Sequence, residues 1–187
     1  MQRIINNVIS VSYTFLKFSL IKIIMGKRFN FSLIQRFSPN THVNFLGKNS
    51  TITLGNKVKA HTGVRMKAIG NGKIIIGDET GFNFGCMLFA MEEINIGKDV
   101  QFGPNVLLYD NDHDFRAEGG VKANKFKISK IEIGDYTWIG ANTMILRGTK
   151  IGKNCVVGAG CVLNGTYPDN TIIVQKRDTQ VIDYKPN

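Results

Sequence analysis

Three histidines, His42, His61 and His113, are the side chains of this sequence best suited by type to move a proton near neutral pH. His113 stands apart because it sits within Asp110-Asn111-Asp112-His113-Asp114-Phe115, flanked by three carboxylates. A carboxylate beside an imidazole orients the ring and stabilises the imidazolium that forms when the ring acts as a general base. Short acidic side chains in such a run also bond their own backbone in turns, so each of Asp110, Asp112 and Asp114 has a structural reading as well. Asp112 ranks slightly ahead as the orienting group, because it occupies a phase of the repeat described next where a small residue is expected. His42 and His61 read as structural or solvated. With three widely separated histidines and no close histidine pair, no metal site is expected.

The elements that position His113 follow a six-residue beat. Ile133, Ile139, Ile145, Ile151, Val157 and Leu163 recur every sixth position, and several are followed by glycine. Three such hexads make one triangular coil of a parallel β-helix, with the aliphatic residue inward and a tight corner after it. Upstream sets are Ile96, Phe102 and Leu108; Ile76, Phe82 and Leu88; and, more weakly, Leu54, Ala60 and Met66. Five coils are therefore expected. Four places after each inward residue comes a small or β-branched one, such as Val100, Val106, Thr137, Thr143 or Cys155, as a narrower interior position requires. The phase breaks between Leu108 and Ile133, which leaves an excursion over about residues 110–130 with His113 at its start. A long departure from an economical repeat is usually functional or disordered.

Composition bounds the partners. The 187 residues make one domain with an appendage, and the net charge of +10 calls for an anionic partner. A phosphorylated cofactor, an acidic glycan or a membrane surface ranks ahead of nucleic acid, for which there is no motif and none is expected. Cys86, Cys155 and Cys161 fall at the small interior phase and read as core, which suits a reducing cytoplasm. Residues 1–30 differ in kind: Ile4, Val8, Val11, Phe15 and Phe18 recur at helical spacing with Lys17, Lys22, Lys27 and Arg28 interspersed. No run of about 18 uncharged apolar residues occurs, so neither a spanning helix nor a secretory signal is expected. The segment reads as an amphipathic helix that caps the coil, rests on the inner face of an anionic membrane through residues 1–25, or does both.

From Leu54 to Val174 the chain resembles the left-handed β-helix hexapeptide acyltransferases, most closely the galactoside and maltose O-acetyltransferases and related polysaccharide O-acetyltransferases. The resemblance rests on Gly81-Phe82-Asn83-Phe84-Gly85, the His113 excursion, the run from Ile131 to Ala141 and the run from Ile151 to Gly160. It implies an all-β, left-handed helix over residues 31–174 between the N-terminal helix and a tail at 175–187. It also implies a homotrimer with active sites between subunits, acetyl-CoA as co-substrate and a sugar or glycan acceptor.

The resemblance also assigns roles. His113 matches the general base, while Asn83 and Trp138 match positions that contact the acceptor. Gly140, Ala141, Gly158 and Ala159 would let the pantetheine arm lie against the backbone, and a corner amide, of Ala141 or Trp138, would donate to the oxyanion. Where relatives carry a basic residue before Val-Ile, this chain has Gln175-Lys176-Arg177-Asp178-Thr179-Gln180-Val181-Ile182. Lys153, Lys176 and Arg177 are the substitutes expected to meet the coenzyme A phosphates. The rival readings are an N-acetyltransferase acting on an amino-sugar nucleotide and a catalytically silent scaffold in glycan synthesis.

Overall fold

The computed structural model describes residues 2–176 and 178–182, with the side chains of residues 2–6 outside that description. A helix, Gln2–Met25, and a 3-10 turn, Gly26–Arg28, lead into a left-handed parallel β-helix. Sheet A stacks Phe29–Phe31, Thr51–Leu54, Lys73–Ile76, Glu93–Ile96, Ile131–Ile133, Lys150–Ile151 and Thr166–Tyr167. Sheet B stacks Arg36–Phe37, Lys59–Ala60, Gly81–Phe82, Gln101–Phe102, Trp138–Ile139, Val156–Val157 and Ile172–Ile173. Sheet C stacks His42–Leu46, Arg65–Ile69, Met87–Ala90, Leu107–Tyr109, Met144–Leu146 and Val162–Leu163.

That is six coils and two thirds of a seventh, not five. The unforeseen turns are the partial last one, Thr166–Tyr167 with Ile172–Ile173, and the first coil, where Phe29, Phe31, Phe37 and Val43 take the interior columns and hide the aliphatic beat. Register carries like onto like down the stack: Phe37, Ala60, Phe82, Phe102, Ile139, Val157 and Ile173 form one column. The second interior position favours threonine for a reason beyond size. The hydroxyls of Thr80, Thr137, Thr143 and Thr149 donate to the carbonyls of Gly97, Gly152, Gly158 and Leu163 in the following coil, at 2.9–3.2 Å. These bonds satisfy groups that a purely apolar core would strand. Cys86 sits at an equivalent place, and burial pushes its thiol up to about 11, so it stays protonated.

Glycine after the inward residue answers to stacking, not to backbone handedness. Gly134, Gly140 and Gly152 have ordinary φ values, but a Cβ on Gly134 or Gly140 would lie 2.6 Å from backbone atoms of the next coil, and one on Gly152 would lie 2.3 Å from the Asp169 side chain and 2.5 Å from the Asp169 backbone nitrogen. The left-handed conformation falls two residues later, at Tyr136, Asn142 and Asn154.

The helix caps the open first coil. Phe18 is fully buried, with its ring edge-on to Phe29, Phe31 and Phe37 at 4.8–5.4 Å. Thr14 Oγ1 accepts from the Phe37 amide at 3.0 Å and lies 3.2 Å from the Phe37 carbonyl. Lys17 donates to the carbonyls of Pro39 and Thr41, and Lys22 to that of Phe29. The stretch 7–28 is long and apolar enough to cross a membrane by length and composition, contrary to the expectation from its interspersed charges. Lys17 and Lys22, the charged residues between 7 and 25, are both bonded to the coil. The coil proper begins at Phe29, and at its far end the Gln175 carboxamide bonds both backbone groups of Val162, one residue beyond the expected limit.

The excursion is an ordered hairpin. Asn111–His113 pairs antiparallel with Phe126–Ile128, and a 3-10 turn, Gly120–Ala123, lies in the connection. Asp110, fully buried, anchors its base by accepting from the amides of Met91 and Glu92, each at 2.8 Å.

Candidate active site

His113 leaves sheet C at the corner where the chain turns toward sheet A. Cross-strand register places Phe126 opposite it, and the two rings meet at 4.5 Å between centroids. The imidazole is solvent-exposed, and Phe126 also lines a groove with Asn71, Lys73, Met91, Glu93 and Lys130. A histidine held on a two-stranded element by a flat apolar neighbour has a fixed ring position and an open face.

The carboxylates act on the hairpin and not on the ring. Successive residues of a strand point to opposite sides, so Asp112 cannot share the His113 face. Its carboxylate accepts from Arg147 Nε at 2.6 Å, which corrects the expectation that Asp112 orients the imidazole. Its interior phase also fails, because the chain leaves the coil after Tyr109 and Asp110 becomes the buried residue. Asp114 pairs with Lys127 at 3.4 Å. Among the described residues none of the three carboxylates hydrogen-bonds the His113 ring. Arg147 escaped the sequence reading; its place just after the sheet C strand of the coil following the excursion was the available signal.

The remaining candidates gather at a different corner. Asn83, Gly103, Gly140 and Gly158 follow successive sheet B strands and form one column at the edge between sheets B and C. Ala141 and Ala159 lie beside it: a Cβ on Gly140 would fall 2.6 Å from the Ala159 amide nitrogen, and Gly160 donates to the Ala141 carbonyl at 2.7 Å. Gly140 is thus explained by stacking alone, while Ala159 is exposed. The chain passes below this corner through Val174, and exposed Lys176 follows. Arg177 lies outside the described residues. Trp138 faces outward on sheet B, half exposed, between Gln101 and Val156. Its amide donates to the Cys155 carbonyl at 2.9 Å, which removes it as an oxyanion donor and leaves Ala141. Asn83 turns its Oδ1 back to the Phe84 amide at 2.9 Å and shares a shallow groove with His61 and Gln101. The His61 ring packs at a tilt on Phe84, 4.8 Å between centroids, and His42 is exposed on the first coil's sheet C strand.

Two expected companions are separated. Lys153 stands at the corner between sheets A and B, paired with Asp135 at 3.4 Å, with sheet B between it and Ala159. His113 and Asn83 stand at opposite edges of sheet C, roughly 13 Å of strand apart at 3.3 Å per residue. Among the described residues no cluster of three or more His, Cys, Asp or Glu side chains could hold a metal ion.

Residues 130–165 match the family model described as bacterial transferase hexapeptide (six repeats). That segment carries the hexapeptide repeat of bacterial transferases, to which the chain is similar. The hexapeptide-repeat chain is 28% identical over 137 residues to a putative lipopolysaccharide biosynthesis O-acetyl transferase, WbbJ, of Escherichia coli, covering 69% of this chain and 70% of that one. Other curated acetyltransferase relatives align over about half of their own length. Among solved structures, a hexapeptide-repeat acetyltransferase of Vibrio cholerae complexed with acetyl coenzyme A superposes with a TM-score of 0.59 at 30% identity, covering 65% of each chain. An N-acyltransferase of Bacillus cereus, AntD, shares the fold at a TM-score of 0.69 and 19% identity, over 89% of each chain.

Proposed function

We propose that this protein is an O-acetyltransferase that moves the acetyl group of acetyl-CoA to a hydroxyl of a sugar or cell-surface polysaccharide precursor, with His113 as general base. The observation that carries this reading is an exposed imidazole fixed on a hairpin at the edge of a groove, in a chain whose relatives are named O-acetyltransferases. His113 takes the acceptor proton as the hydroxyl oxygen attacks the thioester carbonyl. The Ala141 amide donates to the oxyanion. Collapse breaks the carbon–sulfur bond, and the imidazolium returns its proton to the departing thiolate. The small residues of the column from Gly140 to Ala159 suit an extended pantetheine arm, and Lys176 suits its phosphates.

The separation of His113 from that column argues that the site is completed by a neighbour. From the third to the fifth coil the outer face of sheet C carries Met87, Phe89, Leu107, Tyr109, Met144 and Leu146, all half-buried and none charged, while Arg65 and Lys67 face outward on the same sheet in the second coil. If three such faces meet around a threefold axis, the hairpin edge of one chain adjoins the Asn83–Ala159 edge of the next. The homotrimer is the assembly this arrangement calls for.

A screen of acetyl transfer from acetyl-CoA to simple sugars, nucleotide sugars and short glycans, read as mass gain of the acceptor, tests the reading. Transfer only to amino groups of nucleotide sugars would favour the N-acetyltransferase alternative, which fold likeness to AntD keeps in play. Absence of any turnover across the screen would favour a scaffold.

A further inference from the structure

The outer side of the capping helix is an exposed apolar surface. Val8, Ile9, Leu16, Leu20, Ile23 and Ile24 are 60–79% exposed, and across residues 7–25 no exposed side chain is charged. Lys17 and Lys22 turn inward to coil carbonyls, so the helix's basic residues do not interrupt this face. Burial also lowers the Lys17 ammonium from its ordinary value. Contiguous apolar exposure on this scale marks an interaction site.

Charge identifies the occupant. No acidic residue precedes Asp78, whereas twelve lysines and arginines do; the remainder of the chain carries twelve basic residues and all fourteen acidic ones. The positive surplus is therefore confined to the helix-bearing end of the coil, where Lys27 is exposed in the 3-10 turn, Lys48 in the first coil, and Lys59 and Arg65 in the second. Two copies meeting through this face would set like charges against each other. An anionic bilayer offers acyl chains to the apolar stripe and phosphates to the basic rim.

We propose that the helix lies flat on an anionic lipid surface, its inner side capping the coil through Phe18 and its outer side at the headgroup–acyl boundary. A spanning orientation is excluded while Phe18, Thr14 and Lys17 stay seated on the coil. The full chain should float with phosphatidylcholine vesicles containing about 30 mol% phosphatidylglycerol and far less with phosphatidylcholine alone. Binding should weaken at least severalfold between about 0.1 and 0.5 M salt. The triple variant Leu16→Gln, Leu20→Gln, Ile23→Gln should bind at least about tenfold more weakly with an unchanged melting temperature. Should that variant misfold, the single change Leu20→Trp supplies the reading, since its emission should shift blue on adding the anionic vesicles. No flotation of the wild type, equal binding to neutral vesicles or an unshifted Leu20→Trp spectrum overturns the proposal. So does a triple variant that keeps vesicle binding but falls to a smaller oligomer, which would make a second copy the occupant.

Discussion

Asp112 on the excursion hairpin and Arg147 on the coil that follows are joined at 2.6 Å, so the hairpin that carries His113 is tied down to the stack beneath it. Both side chains are partly exposed, and such pairs contribute about 0.2–1 kcal/mol. Arg147→Gln and Asp112→Asn are each expected to lower kcat by a few fold, and the double variant to lose no more than either alone. The pH midpoint of the rate should stay where the wild type has it. A shifted midpoint in Asp112→Asn alone would restore that carboxylate to a direct role on the imidazole.

Most of the stack was legible because register repeats one chemical decision. Each inward position sees the same neighbours above and below, so Ile133, Ile139 and Ile145 announce themselves by spacing. The first coil was not legible, since its interior must also receive Phe18 from the helix, and the aromatic set Phe29, Phe31 and Phe37 replaces the aliphatic beat. His113 was found from its residue type and its position at the start of an excursion. Its surroundings were not, because strand alternation within the hairpin decides that Phe126 and not Asp112 faces the ring, and no hexad phase extends into that hairpin.

Glycine in the corner column is expected to be intolerant of even one added carbon. A Cβ at Gly140 would lie 2.6 Å from the Ala159 nitrogen and 2.7 Å from the Val157 carbonyl, both backbone atoms held by the ladder. Gly140→Ala should lower unfolding free energy by about 1–3 kcal/mol, the usual cost of overpacking. Ala159→Ser, at an exposed neighbouring position, should stay within about 0.5 kcal/mol. Equal stability of the two variants in denaturant titrations would refute the stacking explanation.

Acid stability should depend on Glu132. A hydrogen bond from Lys130, joined by one from Lys150 at 3.2 Å, holds the Glu132 carboxyl below its ordinary range. A depressed folded-state value means that the folded form holds the proton less tightly than the unfolded chain. The associated stability is full above the unfolded value of about 4.3 and disappears as pH falls through the lower folded one. Glu132→Gln should therefore reduce the melting temperature at neutral pH slightly and flatten its decline below about pH 4.3. Parallel curves for the two proteins would show that the cluster does not contribute.

If the site is shared between chains, two inactive proteins should repair each other. His113→Ala retains an intact Asn83 edge, and Asn83→Ala retains an intact hairpin. Co-expressed trimers mixed at random would place the two intact edges together at about a quarter of their sites. Activity should return to that fraction of wild type, and light scattering should report a trimer throughout. An active monomer, or mixed trimers no better than either parent, would place the whole site within one chain.

The decisive residue remains His113. Its imidazole is exposed, packed on Phe126 and bonded to none of its flanking carboxylates among the described residues, so removing it leaves no buried partner stranded. Little loss of fold stability is therefore expected from His113→Ala, and acetyl-CoA affinity should hold, because in the proposed reaction the imidazole acts on the acceptor hydroxyl and not on the pantetheine arm. Turnover should fall about a hundredfold or more, the usual scale for losing a general base. Any pH-dependent limb that a general base gives to kcat/KM of the wild type should be lost in the variant. His113→Asn, which keeps a side chain of similar breadth but cannot accept the proton, should match the alanine variant. Near-normal turnover in either variant, or loss of activity traced to an unfolded chain by circular dichroism, would make the histidine a structural element of the hairpin.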